Sequence, residues 1–171
     1  PTSVPTYKGA RADGGTPADF KVAFIGDQGL GTTSIAVMEL IKSEGADMVL
    51  HLGDFDFQDN PRAWDNRISD VFGPDFPYFG LIGNHDEIAW AEYQAKLQAR
   101  LDRLDGVSCT GDLGVKSACT YRGVFFILSG VGLLGSGHDT FIRDQLAASD
   151  AIWKICSWHY VQILMQVGNQ K

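Results

Sequence analysis

The stretch FIGDQGLG, Phe24 to Gly31, decides how the chain is read. An apolar β-type run ends on a carboxylate, Asp27, and glycines follow at once. Two later runs end the same way. DMVLHLG leads to Asp54, and FPYFGLIG leads to Asn84, His85 and Asp86. A fourth apolar run, AIWKICSWH, closes on His159. Gly26, Gly29, Gly53 and Gly83 flank these polar residues, where a bare backbone turns sharply and approaches other atoms closely.

Helical patterns separate the runs. Thr32 or Thr33 is placed to cap a helix whose Val37, Met38 and Ile41 share one face. A second helix opens on Pro61 and stops at Gly73. A third carries the stripe Trp90, Tyr93, Leu97, Leu101 and Leu104, with Glu92, Lys96, Arg100 and Arg103 off it. Short strands near Val107–Thr110 and Ala118–Tyr121 precede GVFFILSG. A last helix then sets Phe141, Ile142, Gln145 and Leu146 on one face. Strand–helix alternation predicts a mainly parallel sheet with helices packed on it. The carboxyl ends of such a sheet share one edge, so Asp27, Asp54, Asn84 and His159 are expected to converge there.

Carboxylate, amide carbonyl and imidazole are the ligands that hard or borderline cations take. One carboxylate can bridge two ions, which makes hydroxide available from water near neutral pH.

The series GD, GD, GNHD and a late His resembles the metallophosphoesterase (calcineurin-like) superfamily, and within it the purple acid phosphatases. The resemblance runs from Phe20 to His159. It implies an α/β fold, a double β-sheet sandwich flanked by helices (αββα). It implies hydrolysis of phosphate esters at a dinuclear centre of divalent or trivalent ions (Fe, Zn, Mn or Mg) with a bridging hydroxide. Asp27 would bind the first metal and Asp54 would bridge. Asn84 and His159 would bind the second. His85 would act on the phosphoryl or leaving-group oxygens as a catalytic residue, with Asp86 orienting it.

Two departures stand out. The purple acid phosphatases carry a metal-binding, colour-giving Tyr three residues after the bridging Asp, and here that position is Phe57. Their late Gly-His-x-His motif is missing. The expected organisation is an arm over residues 1–19 and a phosphoesterase domain over 20–171, incomplete at its C-terminus. The apolar tail YVQILMQVGNQK invites a second chain. A catalytically silent scaffold retaining the fold is the alternative. A nucleotide-binding loop over Gly26–Thr33 is a weaker one, because Thr32 replaces the phosphate-binding lysine.

Charge narrows the partners. A formal −7 over 171 residues argues against a nucleic-acid backbone, whose binding relies on Lys and Arg. The most apolar stretch, from Gly123, is too short and glycine-rich to span a membrane. Cys109 and Cys119 flank a turn-forming stretch and are either a disulfide or two buried thiols; the disulfide would favour a secreted protein. Cys156 is expected in the core. His51 is expected to be structural, while His138 and Asp56 are expected to face solvent.

Overall fold

A computed structural model describes residues 15–160. The outer part of the arm and the tail beyond Tyr160, with its expected partner surface, lie outside the described residues. Among the described residues, seven strands form two sheets. Strands β1 (Val22–Ile25), β2 (Met48–His51) and β3 (Tyr78–Gly80) make a parallel three-stranded sheet in that order. Strands β4 (Val107–Asp112), β5 (Lys116–Tyr121), β6 (Val124–Ser129) and β7 (Trp153–Trp158) make a second sheet, also in chain order.

The expectation of a mainly parallel sheet holds only for the first. In the second, β4–β5 and β5–β6 pair antiparallel, and only β7 lies parallel to its neighbour β6. The reason is connection length: the tight turns after Asp112 and Tyr121 can close hairpins, whereas a parallel pair needs a crossover. That crossover is supplied once, by helix α4 (His138–Ala148) between β6 and β7.

The sheets pack face to face. Phe79 of β3 meets Phe126 of β6 edge-on at 4.7 Å between ring centres. Side chains alternate along β6. Phe126 and Leu128 enter the main core, while Phe125 and Ile127 turn outward under α4. Phe141, Ile142 and Leu146 of α4 cover that outer face, with Cys156 beside them. Helices α1 (Thr32–Ser43), α2 (Pro61–Phe72) and α3 (Trp90–Leu101) complete the layering on the three-stranded sheet. Trp64 and Ile68 of α2, with Trp90, Tyr93, Leu97 and Leu101 of α3, join the core. The layers are therefore helix, sheet, sheet, helix.

Local details depart from expectation in instructive ways. Neither Thr32 nor Thr33 caps α1. Gly31 occupies the cap position, and the hydroxyl of Ser34 donates to its carbonyl at 2.8 Å. Only Met38 of the expected apolar face is fully buried; Ile41 is partly buried, and Val37, with Ile35 and Leu40, is exposed. Asn60 does cap α2, accepting from the Ala63 N–H at 3.1 Å. Helix α3 stops at Leu101, so Leu104 packs on the core from the turn beyond it. His138 and Asp56 are both buried, against expectation. His138 starts α4 and lies between the Ser129 hydroxyl and the Leu134 carbonyl, 3.0 Å from each, so the helix start holds it over the end of β6. Cys109 and Cys119 are directly opposed on β4 and β5 and form a disulfide.

Candidate metal centre

Two loops carry the site, one after β2 and one after β3, and they are pressed together. A methyl group on Gly83 would collide with the Asp54 amide nitrogen, and one on Gly53 would lie 2.7 Å from the Gly83 Cα. No side chain fits at either position. Asp86 fastens the contact. Its buried carboxylate accepts from the Gly83 and Asp54 N–H groups at 2.7 and 2.8 Å, and from Phe55 N–H at 2.8 Å. Among the described hydrogen bonds, none joins Asp86 to the His85 ring. The sequence expectation that Asp86 orients His85 thus gives way to a backbone clamp. Burial pushes the Asp86 carboxyl up to about 6, against the opposing pull of its three N–H donors.

The β1 loop joins through its backbone. Asp27 N–H donates to the Gly53 carbonyl at 3.1 Å and Gln28 N–H to the Asp54 carbonyl at 3.0 Å. Two N–H groups that a phosphate-cradling loop would need are thereby committed elsewhere, which weighs against the nucleotide-binding alternative. Asp27 and Asp54 both hold left-handed backbone, with φ of 52° and 57°. Aspartate tolerates this region better than most residues.

His159 arrives from the other sheet, just past β7, rather than from the edge of a single parallel sheet. Ligand atoms of Asp27, Asp54 and His159 lie within 4.8 Å of one another. The Nδ1 of His159 lies 2.8 Å from the Leu52 carbonyl, to which it can only donate. That fixes the tautomer and turns the Nε2 lone pair inward. Facing it are Asn84 Oδ1 at 3.0 Å and Asp54 Oδ1 at 3.4 Å. In the neutral ring, three lone-pair donors therefore meet with no proton among them. A cation is the chemical complement of such a set, so these residues fit a metal.

His85 stands beside the centre. Its N–H donates to Asp54 Oδ1 at 2.9 Å while its ring is exposed. Asp56, expected in solvent, is buried and accepts from the Gln58 and Asn60 N–H groups at 2.7 and 3.0 Å, holding the loop beyond it.

One feature beneath the site has no sequence signature. The hydroxyl of Tyr78 donates to Gln28 Oε1 at 2.8 Å and so accepts from His51 Nδ1 at 2.9 Å. The residue following Asp27 is thus anchored to the core, while His51 Nε2 is buried without a partner. Burial pushes His51 down to about 3, and His159 adds to this in its protonated form. A histidine near 6.5 in the unfolded chain binds its proton more readily there, so stability falls as pH drops from about 6.5 toward 3. The slope is about 1.4 kcal/mol per pH unit. Asp86 runs the other way, favouring the fold at low pH and losing that contribution as pH rises toward 6. His51→Gln should remove only the histidine's part, measurable as about one fewer proton taken up on unfolding near pH 5. An unchanged proton count would contradict a neutral buried His51.

The fold is shared with the purple acid phosphatase isolated from yellow lupin (Lupinus luteus) seeds, at a TM-score of 0.51 and 19% identity. The match covers 80% of this chain and 29% of that one, so the chain spans under a third of that protein's length. No curated protein matches. The family model for calcineurin-like phosphoesterases matches residues 20–166, the sheets, the helices and all four candidate ligands included. The chain belongs to the calcineurin-like phosphoesterase family.

Proposed function

We propose that the chain carries metal-binding residues of a phosphoric ester hydrolase that works through two metal ions. The convergence of the Asp27, Asp54, Asn84 and His159 lone pairs at the strand ends carries this reading. Asp27 and Asp54 would hold the first ion, and Asp54, Asn84 and His159 the second. When bound, the ions would make hydroxide available from water near neutral pH and would offset charge on the phosphoryl oxygens. Among the described residues, two would hold the first ion, and further ligands would complete its shell.

The chain's own residues divide the remaining work. Asp54 is anchored by the His85 N–H and so couples the ligand set to the His85 loop. The exposed His85 ring would donate a proton to the departing alcohol oxygen or hydrogen-bond the phosphoryl group. Asp86 and the paired glycines keep the two loops in register. His85→Ala should lower kcat on an aryl phosphate by about 10²–10³-fold while bound metal, measured by elemental analysis, stays constant. Parallel loss of metal would move His85 from chemistry to ligation. Failure of the Mn²⁺-, Zn²⁺- or Fe²⁺-loaded protein to hydrolyse any ester would favour the silent-scaffold reading.

The Cys109–Cys119 bond supports a secreted or extracellular setting. Thiol titration of the denatured, unreduced protein should find one free thiol, Cys156, and three after reduction. Three thiols before reduction would remove that support.

A further inference from the structure

Phe57 departs from the purple acid phosphatase pattern, and its setting is unusual. The residue is 47% exposed. Its backbone lies at φ +62°, a region that bulky side chains avoid. The strain is held in place by the neighbouring buried Asp56, whose carboxylate binds the next loop N–H groups, Gln58 and Asn60. Strain maintained this way marks positions where orientation matters. The ring borders Gly29, where an added methyl would lie 3.6 Å from Phe57 Cδ2. It meets the His85 ring nearly edge-on, 5.0 Å between centres and 67° between planes. His85 in turn is bonded through its backbone to Asp54. An exposed aromatic surface is therefore fixed at the rim of the metal centre, next to the group proposed to meet the leaving oxygen.

We propose that Phe57 is a specificity-determining residue whose ring receives the aromatic group of an aryl phosphate ester as it enters beside His85. This rests on the hydrolase reading above and deepens it by naming the substrate class. The ring cannot ligate metal and offers no hydrogen bond. Its contribution is confined to contact with a flat apolar surface, which offset or edge-on aromatic packing rewards. An ester of a small hydrophilic alcohol would leave the ring wet and gain nothing from it.

The test compares phenylphosphonate with methylphosphonate, two non-hydrolysable probes, titrated calorimetrically into the Mn²⁺- or Zn²⁺-loaded chain. The wild type should bind the phenyl compound about tenfold more tightly. Phe57→Asn removes the ring and accepts left-handed backbone, so the loop keeps its path, and Phe57→Gly provides a second variant with the same tolerance. In both, the phenyl-to-methyl ratio should fall to about twofold or less. A ratio unchanged in both variants overturns the role of Phe57 and leaves the hydrolase reading intact. Binding of neither phosphonate by the metal-loaded wild type overturns the hydrolase reading, and this inference with it.

Discussion

Asp54→Asn should abolish the metal centre while sparing the fold. The variant is expected to lose at least about 100-fold in Mn²⁺ affinity, since even the partners of metal ligands contribute 10- to 100-fold. Activity on an aryl phosphate should fall by about 10⁴-fold or more, because water without a metal keeps a pKa near 15.7. The substitution is a sharp one. Asn matches Asp in shape and also tolerates the left-handed backbone seen at this position, φ 57°. It can still accept the His85 N–H and receive a neighbour's hydrogen bond. What it lacks is the charge and the second equivalent oxygen that the proposed bridge between ions would require. Titration with Mn²⁺, elemental analysis after gel filtration and an unfolding curve together separate these effects. Full metal occupancy in the variant would remove Asp54 from the bridging position, and a collapsed unfolding midpoint would make its role architectural.

The candidate site was legible in sequence because its residues sit at strand ends, where a run of apolar residues stops at a polar one. Asp27, Asp54 and Asn84 follow β1, β2 and β3 in this way, and His159 follows β7. The glycines beside them were legible for the same reason, and Gly53 and Gly83 do permit the close approach expected of them. The second sheet's antiparallel order was less visible, since alternating strands and helices at the start of the chain suggest one parallel sheet throughout. Positions depending on three-dimensional neighbours were opaque. Asp56 and His138 look like loop residues, yet each is buried by the backbone it organises. Asp86 sits beside His85 in sequence but turns its carboxylate toward backbone N–H groups on another loop. No periodicity encodes the Gln28–Tyr78–His51 chain, which links three elements.

Arg100 is the clearest such case and gives the second large effect. It lies off the apolar stripe of α3, but α2 covers that side too. The side chain is only 1% exposed. Its Nε donates to Asp65 Oδ1 at 2.8 Å, and Nη2 donates to the Asp65 carbonyl and the Ser69 hydroxyl, each at 2.6 Å. Burial pushes the guanidinium pKa down and Asp65 resists it. The partners are not equivalent. Asp65 is 20% exposed and keeps Lys96 at 3.4 Å if Arg100 is removed. Arg100, deprived of Asp65, is a buried cation with no carboxylate beside it. Asp65→Ala should therefore cost about 3–5 kcal/mol, the usual penalty for stranding one member of a buried pair. Arg100→Met replaces the cation with an apolar chain that can pack among α2 and α3, so its cost should stay below about 1.5 kcal/mol. Adding Arg100→Met to Asp65→Ala should then recover most of the lost stability, since it removes the stranded charge. Denaturant unfolding of the three variants reads this ranking directly. An Arg100→Met penalty equal to or above that of Asp65→Ala would mean that the guanidinium's hydrogen bonds to the α2 carbonyl and hydroxyl, rather than its charge, join the two helices.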